Sequence, residues 1–122
     1  MIFRPHGVLN EKKINSIIGL LEKEEERAQQ PFNRFSDFSE LDAIDLEFRF
    51  ILRVALHRRL TYGGRAPVKS AFYTPNKASA RVVKVHALVT DQSPLQVQMF
   101  DLVSEAAKWL GVLPTDLQLR SR

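Results

Sequence analysis

Leu95-Gln96-Val97-Gln98-Met99-Phe100 runs directly into Asp101-Leu102-Val103-Ser104-Glu105-Ala106-Ala107-Lys108-Trp109-Leu110-Gly111. The first six residues alternate, placing Leu95, Val97 and Met99 on one face of a half-buried strand. The period then changes. Val103, Ala106, Ala107 and Leu110 recur three and four apart, as one helix face does, with Asp101 as cap and Gly111 as stop. A strand feeding a helix is the repeating piece of an α/β fold.

The same piece recurs upstream. Pro67–Tyr73 reads as a strand with Val68, Phe72 and Tyr73 its bulky members, broken by Pro75-Asn76. Residues 77–90 fit two periods: Val83, Val85, Ala87 and Val89 alternate, while Ala78, Val82, Val85 and Val89 have helical spacing. Before them a long helix, capped by Asp42 or Asp45, shows the face Phe48, Ile51, Leu52, Ala55 and Leu56 and stops at Gly63-Gly64. A short strand is expected near residues 32–36, passing through the polar loop Ser39-Glu40-Leu41-Asp42. The first helix is capped by Asn10, has Glu11 in its first turn, carries Ile14, Ile17, Ile18 and Leu21 on one face, and ends at Gln29-Gln30-Pro31. Phe3–Leu9 is short and extended.

If residues 77–90 are helical, the order is β-α-β-α-β-α-β-α. That order implies an α/β fold with about four mainly parallel strands and crossover helices. Its 122 residues suit one domain, since a second core would bury too little apolar surface. The expected domain spans residues 1–112, with 113–122 a loosely ordered tail.

Hydrophobic residues make up 44% of the chain and charged ones 26%, which suits a globular protein. No apolar run approaches the ~20 residues that span a bilayer. Met1–His6 lacks the layout of a secretory signal. Without cysteine there is no disulfide, thiolate metal site or thiol nucleophile. These features point to the cytosol.

The net charge of +4 is unevenly spread. Residues 1–50 carry seven Lys/Arg against ten Asp/Glu, and residues 51–90 carry eight Lys/Arg and no acid. Two readings stay open: a solvated face or an internal match to Glu22–Glu26, and a site for an anionic partner. In the second, Arg58, Arg59, Arg65, Arg81 and Lys84 would hold a small anion, a lipid headgroup or nucleic acid. Nucleic acid is disfavoured because only Tyr62, Phe72 and Tyr73 are available for stacking in that segment.

Catalytic motifs are missing. His6, His57 and His86 lack zinc spacing and read as solvated or capping imidazoles. No serine sits in a G-x-S-x-G elbow. Gly63-Gly64 precedes Arg65-Ala66, not the Lys-Ser/Thr of a phosphate loop. Asp37, Glu40, Asp42, Asp45 and Glu47 cluster where acids cap a helix start, so capping is the simpler reading than acid–base chemistry.

From Phe35 to Leu52 the chain resembles the STAS family, the SpoIIAA-like anti-sigma-factor antagonists. That family carries Asp-Leu-Ser after a strand, then Asp-Ser-Ser-Gly-Leu opening a helix. Asp37-Phe38-Ser39 stands for the first element and Asp45-Leu46-Glu47-Phe48-Arg49 for the second. Pro67–Phe72, Val97–Phe100 and Ala106–Gly111 resemble the later strands and closing helix, so the pattern covers residues 7–112. The family's phosphorylated serine falls at Leu46, which has no hydroxyl, and the next at Glu47. The resemblance therefore implies a bacterial, non-catalytic regulatory domain without the usual phospho-switch and without a cofactor. The family's first strand is missing or shortened, which would leave an edge open to pairing with another copy.

The helix from Asp45 also carries a second apolar line, Leu46, Phe50 and Val54. A helix covering one sheet needs a single stripe, so this line is either wrapped within the chain or exposed for association. The resemblance favours association, because the helix start is where the family binds partners. The expected partner surface is Asp45, Leu46, Glu47, Phe50, Val54 and His57, facing a protein or a second copy, with no membrane involved.

Overall fold

The computed structural model describes residues 1–117, apart from the side chains of residues 78 and 79. Four strands make the main sheet: β1 (Ile2–Phe3), β3 (Arg34–Asp37), β5 (Val68–Tyr73) and β6 (Leu95–Phe100), in the order β1-β3-β5-β6, all parallel. A second parallel pair joins β2 (Gly7–Asn10) to β4 (Leu41–Asp45). The long helices are α1 (Glu11–Ala28), α2 (Phe48–Tyr62) and α3 (Lys77–Thr90), followed by α4 (Val103–Leu110) and the single turn α5 (Pro114–Leu117). The structure is thus an α/β fold with a parallel sheet, and residues 77–90 are helix.

Each crossover moves the chain one way across the sheet. Right-handed connections then put α1, α2 and α3 on the same face. Their side chains meet Ser36, Ser70, Phe72 and Leu95 around one cavity. The opposite face holds Phe35 and Ala71, covered by Ala106, Ala107 and Leu117. Alternation along each strand assigns residues to these two layers.

Local chemistry fixes the element ends. The Asn10 side chain accepts from the Lys13 amide at 3.0 Å, capping α1. Gly111 closes α4 at φ +77°, its amide donating to the Ala107 and Lys108 carbonyls. Arg4 ties the termini together, with Nε 3.0 Å from Asp37 Oδ2 and a second nitrogen donating to the Leu117 carbonyl. Lys69 Nζ reaches the Trp109 carbonyl at 2.8 Å across the α4 face.

Several expectations need correcting. Residues 41–45 form β4, so Asp45 ends a strand opposite Asn10 instead of capping a helix. Helix α2 begins at Phe48 after Glu47, and no side chain caps it. Asp101 does not cap α4 either, since Leu102 occupies that position. Leu117 is buried against Phe35, so the domain includes α5 and the tail beyond 112 is not loose up to that point. The rest of the expected tail, residues 118–122, lies outside the described residues.

Candidate functional site

Between α1–α3 and the sheet lies a mostly apolar, partly open cavity of about 120 Å³. Ile14, Ile17, Ile18 and Leu21 face it from α1, as their spacing requires. From α2 it receives Phe50, Ile51, Val54 and Arg58, and from α3 Val82, Val83 and His86. Its floor is polar where Arg34, Ser36 and Ser70 rise from β3 and β5.

A buried charge cluster abuts that floor. Arg34, Arg58, Glu25 and Tyr62 are all buried. Arg34 Nη1 lies 3.1 Å from Glu25 Oε2, and its Nη2 donates to the Tyr62 hydroxyl at 2.9 Å. Arg58 Nη2 donates to the same hydroxyl at 2.6 Å. The hydroxyl in turn donates to Glu25 Oε1. Arg58 Nη1 also reaches Glu22 Oε1 at 3.2 Å, although Glu22 is half exposed. Three guanidinium groups, from Arg34, Arg58 and Arg65, stand over the Tyr62 ring. Two buried cations face one buried carboxylate, and the half-exposed Glu22 supplies the second counter-charge.

Burial and the two guanidinium groups perturb the neighbouring side chains. Burial first, then Arg58 and Arg34, lowers the His86 imidazole to about 4, so the ring is neutral near pH 7. Its ring packs edge-on against Phe72, with centroids 6.1 Å apart. Burial raises the Tyr62 phenol above its ordinary value and lowers the Arg58 guanidinium below its own.

The predicted partner surface does not form as one face. Phe50 is buried, and Leu46 and Val54 line the cavity, so that line is wrapped within the chain. Asp45, Glu47 and His57 are exposed, with His57 Nε2 3.6 Å from Glu22 Oε1. Of the expected core face, Ala55 is buried and Ile51 lines the cavity, while Phe48, Leu52 and Leu56 lie outside and continue to Leu60. Phe48, Leu52, Leu56 and Leu60 are 62%, 37%, 51% and 72% exposed. Helix α2 turns inward the face bearing Phe50, Ala55, Arg58 and Tyr62. A cation in the middle of that face hides it from a search for apolar stripes. The signal available in sequence was the Glu22–Glu26 run, the internal match for Arg58.

The basic segment does not gather either. Arg58 is inside, and Arg59 donates to the Val89 carbonyl at 3.0 Å and to that of Asp91. Arg65 lies over Tyr62, while Arg81 and Lys84 are exposed on α3. Of the acidic residues, Asp37 binds Arg4 and accepts from the Ser39 amide at 2.9 Å. Glu40 lies 3.2 Å from His6 Nδ1. Of the three histidines, only His86 lines the cavity, which the reading as a solvated or capping group missed.

Among the described residues, no group of three His, Cys, Asp or Glu side chains is placed to hold a metal ion. No described helix is long and apolar enough to cross a membrane. No family model, curated protein or solved structure matches the chain.

Proposed function

We propose that this chain is a non-catalytic regulatory interaction domain of the STAS kind, in a bacterial cytosolic setting, that pairs with a second copy through α2. The observation carrying this reading is the row Phe48, Leu52, Leu56 and Leu60, exposed along the helix. Residues four apart form the slanted ridge that packs into the groove of another helix. An exposed apolar row on a helix that already buries its other face has no role in the monomer's core.

Charge favours a second copy as the occupant. Asp42, Asp45 and Glu47 lie exposed before the helix and Arg65 just after it, with Arg49, Arg53 and His57 exposed along it. An antiparallel two-fold pair sets the acidic approach to one helix against the basic residues along and after the other, and a two-fold contact needs such self-complementarity. The switch at this site is not phosphorylation, because Leu46 has no hydroxyl and faces the cavity.

Sedimentation velocity on the wild type and on Leu60→Asp tests the reading. Leu60 is the most exposed of the row, so the substitution spares the core. The wild type is expected to sediment as a dimer and the variant as a folded monomer. A wild type that is monomeric at every concentration would overturn self-pairing.

A further inference from the structure

The cavity beneath α1–α3 contains polar groups that the fold itself leaves unused. Ser36 and Ser70 are 7% and 4% exposed and both face the cavity. Among the described residues neither hydroxyl makes a hydrogen bond. Leaving a buried hydroxyl without a partner is costly, so such groups are nearly always satisfied by something. Here there are two, on adjacent strands, with Ser70 directly opposite Arg34 in the register.

The neighbouring groups define what would satisfy them. Arg34 and Arg58 each carry five N–H donors, and their contacts with Glu22, Glu25, Phe32 and Tyr62 leave some unfilled. His86 also lines the cavity, neutral near pH 7, and its ring nitrogens have no hydrogen-bond partner among the described residues. The floor is thus rich in unfilled donors, while the walls are Ile17, Leu21, Phe50 and Val54. An anion with an apolar body matches both parts. Charge-assisted bonds from arginine to carboxylate are the strong ones in such a setting.

Size limits the body. The volume of about 120 Å³ is of the order of the ~150 Å³ apolar cavity that accepts a benzene ring. We infer that the cavity is a binding site for a compact apolar carboxylate, its body among Leu21, Phe50 and Val54 and its carboxylate on Ser36, Ser70, Arg34 and Arg58. This site is separate from the α2 row, so it stands whether or not the chain pairs with itself. Arg58 is the one member of the basic group Arg58, Arg59, Arg65, Arg81 and Lys84 that faces it.

Phenylacetate is a suitable probe, with 2-phenylethanol as its uncharged counterpart and acetate as the headgroup alone. Calorimetric titration of the whole chain is expected to show phenylacetate binding at least tenfold more tightly than 2-phenylethanol, with no heat from acetate. In the two-dimensional NMR spectrum, phenylacetate should shift the amides of residues 34–36 and 70. Ser70→Val should weaken phenylacetate at least fivefold and leave 2-phenylethanol unchanged. Should that variant misfold, the three-probe comparison on the wild type decides by itself. Equal binding of acid and alcohol would overturn the assignment of the floor. Binding of neither would show a cavity that holds water only, and would overturn the site.

Discussion

The Tyr62 hydroxyl donates to Glu25 across the space between α2 and α1, and receives Arg34 and Arg58 on its other side. One phenol thus joins a carboxylate to two guanidinium groups where all four side chains are buried. The contact fixes how α1, α2 and β3 meet, and it turns Arg58 inward. Arg58 thus shares the inner face of α2 with Phe50, Ala55 and Tyr62.

Tyr62→Phe keeps the ring under its three arginines and removes only the hydroxyl. Glu25 then lacks one donor, and both arginines lack an acceptor. Stability should fall by about 1–3 kcal/mol, the cost of leaving buried groups unpaired. Urea denaturation measures it, and an unchanged midpoint would contradict the network.

Glu25→Gln should cost more, about 3–5 kcal/mol, because it leaves two buried cations without their buried counter-charge. Glu22→Gln should cost well under that, since Glu22 is half exposed and water screens its bond to Arg58. The ranking of the two variants in thermal denaturation is the informative quantity.

His86 makes stability depend on pH in a stated direction. Its folded value of about 4 lies below the ordinary 6.5, so between those values the unfolded chain holds the extra proton. Stability is therefore full above about 6.5, falls as the pH drops, and this group's share of the loss is complete near 4. Arg58 on α2 and Arg34 on β3 are the charges that burial sets against protonation of the ring. His86→Leu should flatten this limb of the curve, measured by denaturation between pH 7 and 4. A wild-type curve already flat over that range would contradict the assignment.

Gly111→Ala tests the α4 stop. The residue sits at φ +77° with open space where a Cβ would project, so only backbone strain is added. The expected cost is about 1 kcal/mol, with Gly111→Asn costing less because asparagine tolerates that conformation.

Much of this architecture is readable from spacing alone. Leu95–Phe100 alternates, Pro67–Tyr73 carries bulky Val68, Phe72 and Tyr73, and both give strands; Ile14, Ile17, Ile18 and Leu21 have one helical face and line the cavity. Residues 77–90 fit two periods, and only tertiary context makes them α3. Strand β4 was hidden because Asp42 and Asp45 look like caps, whereas in the fold they point outward and Leu41 and Ile44 pack inward. The inner face of α2 is rotated from the expected one, sharing Ile51 and Ala55 with it but not Phe48, Leu52 or Leu56. An apolar-stripe argument assumes that arginine faces water, and Arg58 does not. Ser36 and Ser70 carry no signal in sequence, since their meaning comes from the cavity two separate strands share.

The outer row of α2 bears the account's central claim, and light scattering over a hundredfold range of protein concentration tests it most directly. Self-pairing predicts a mass rising from one chain to two as concentration increases, with Leu56→Asp and Leu60→Asp held at one chain and folded as judged by circular dichroism. A mass of one chain throughout, unchanged by either substitution, would contradict it.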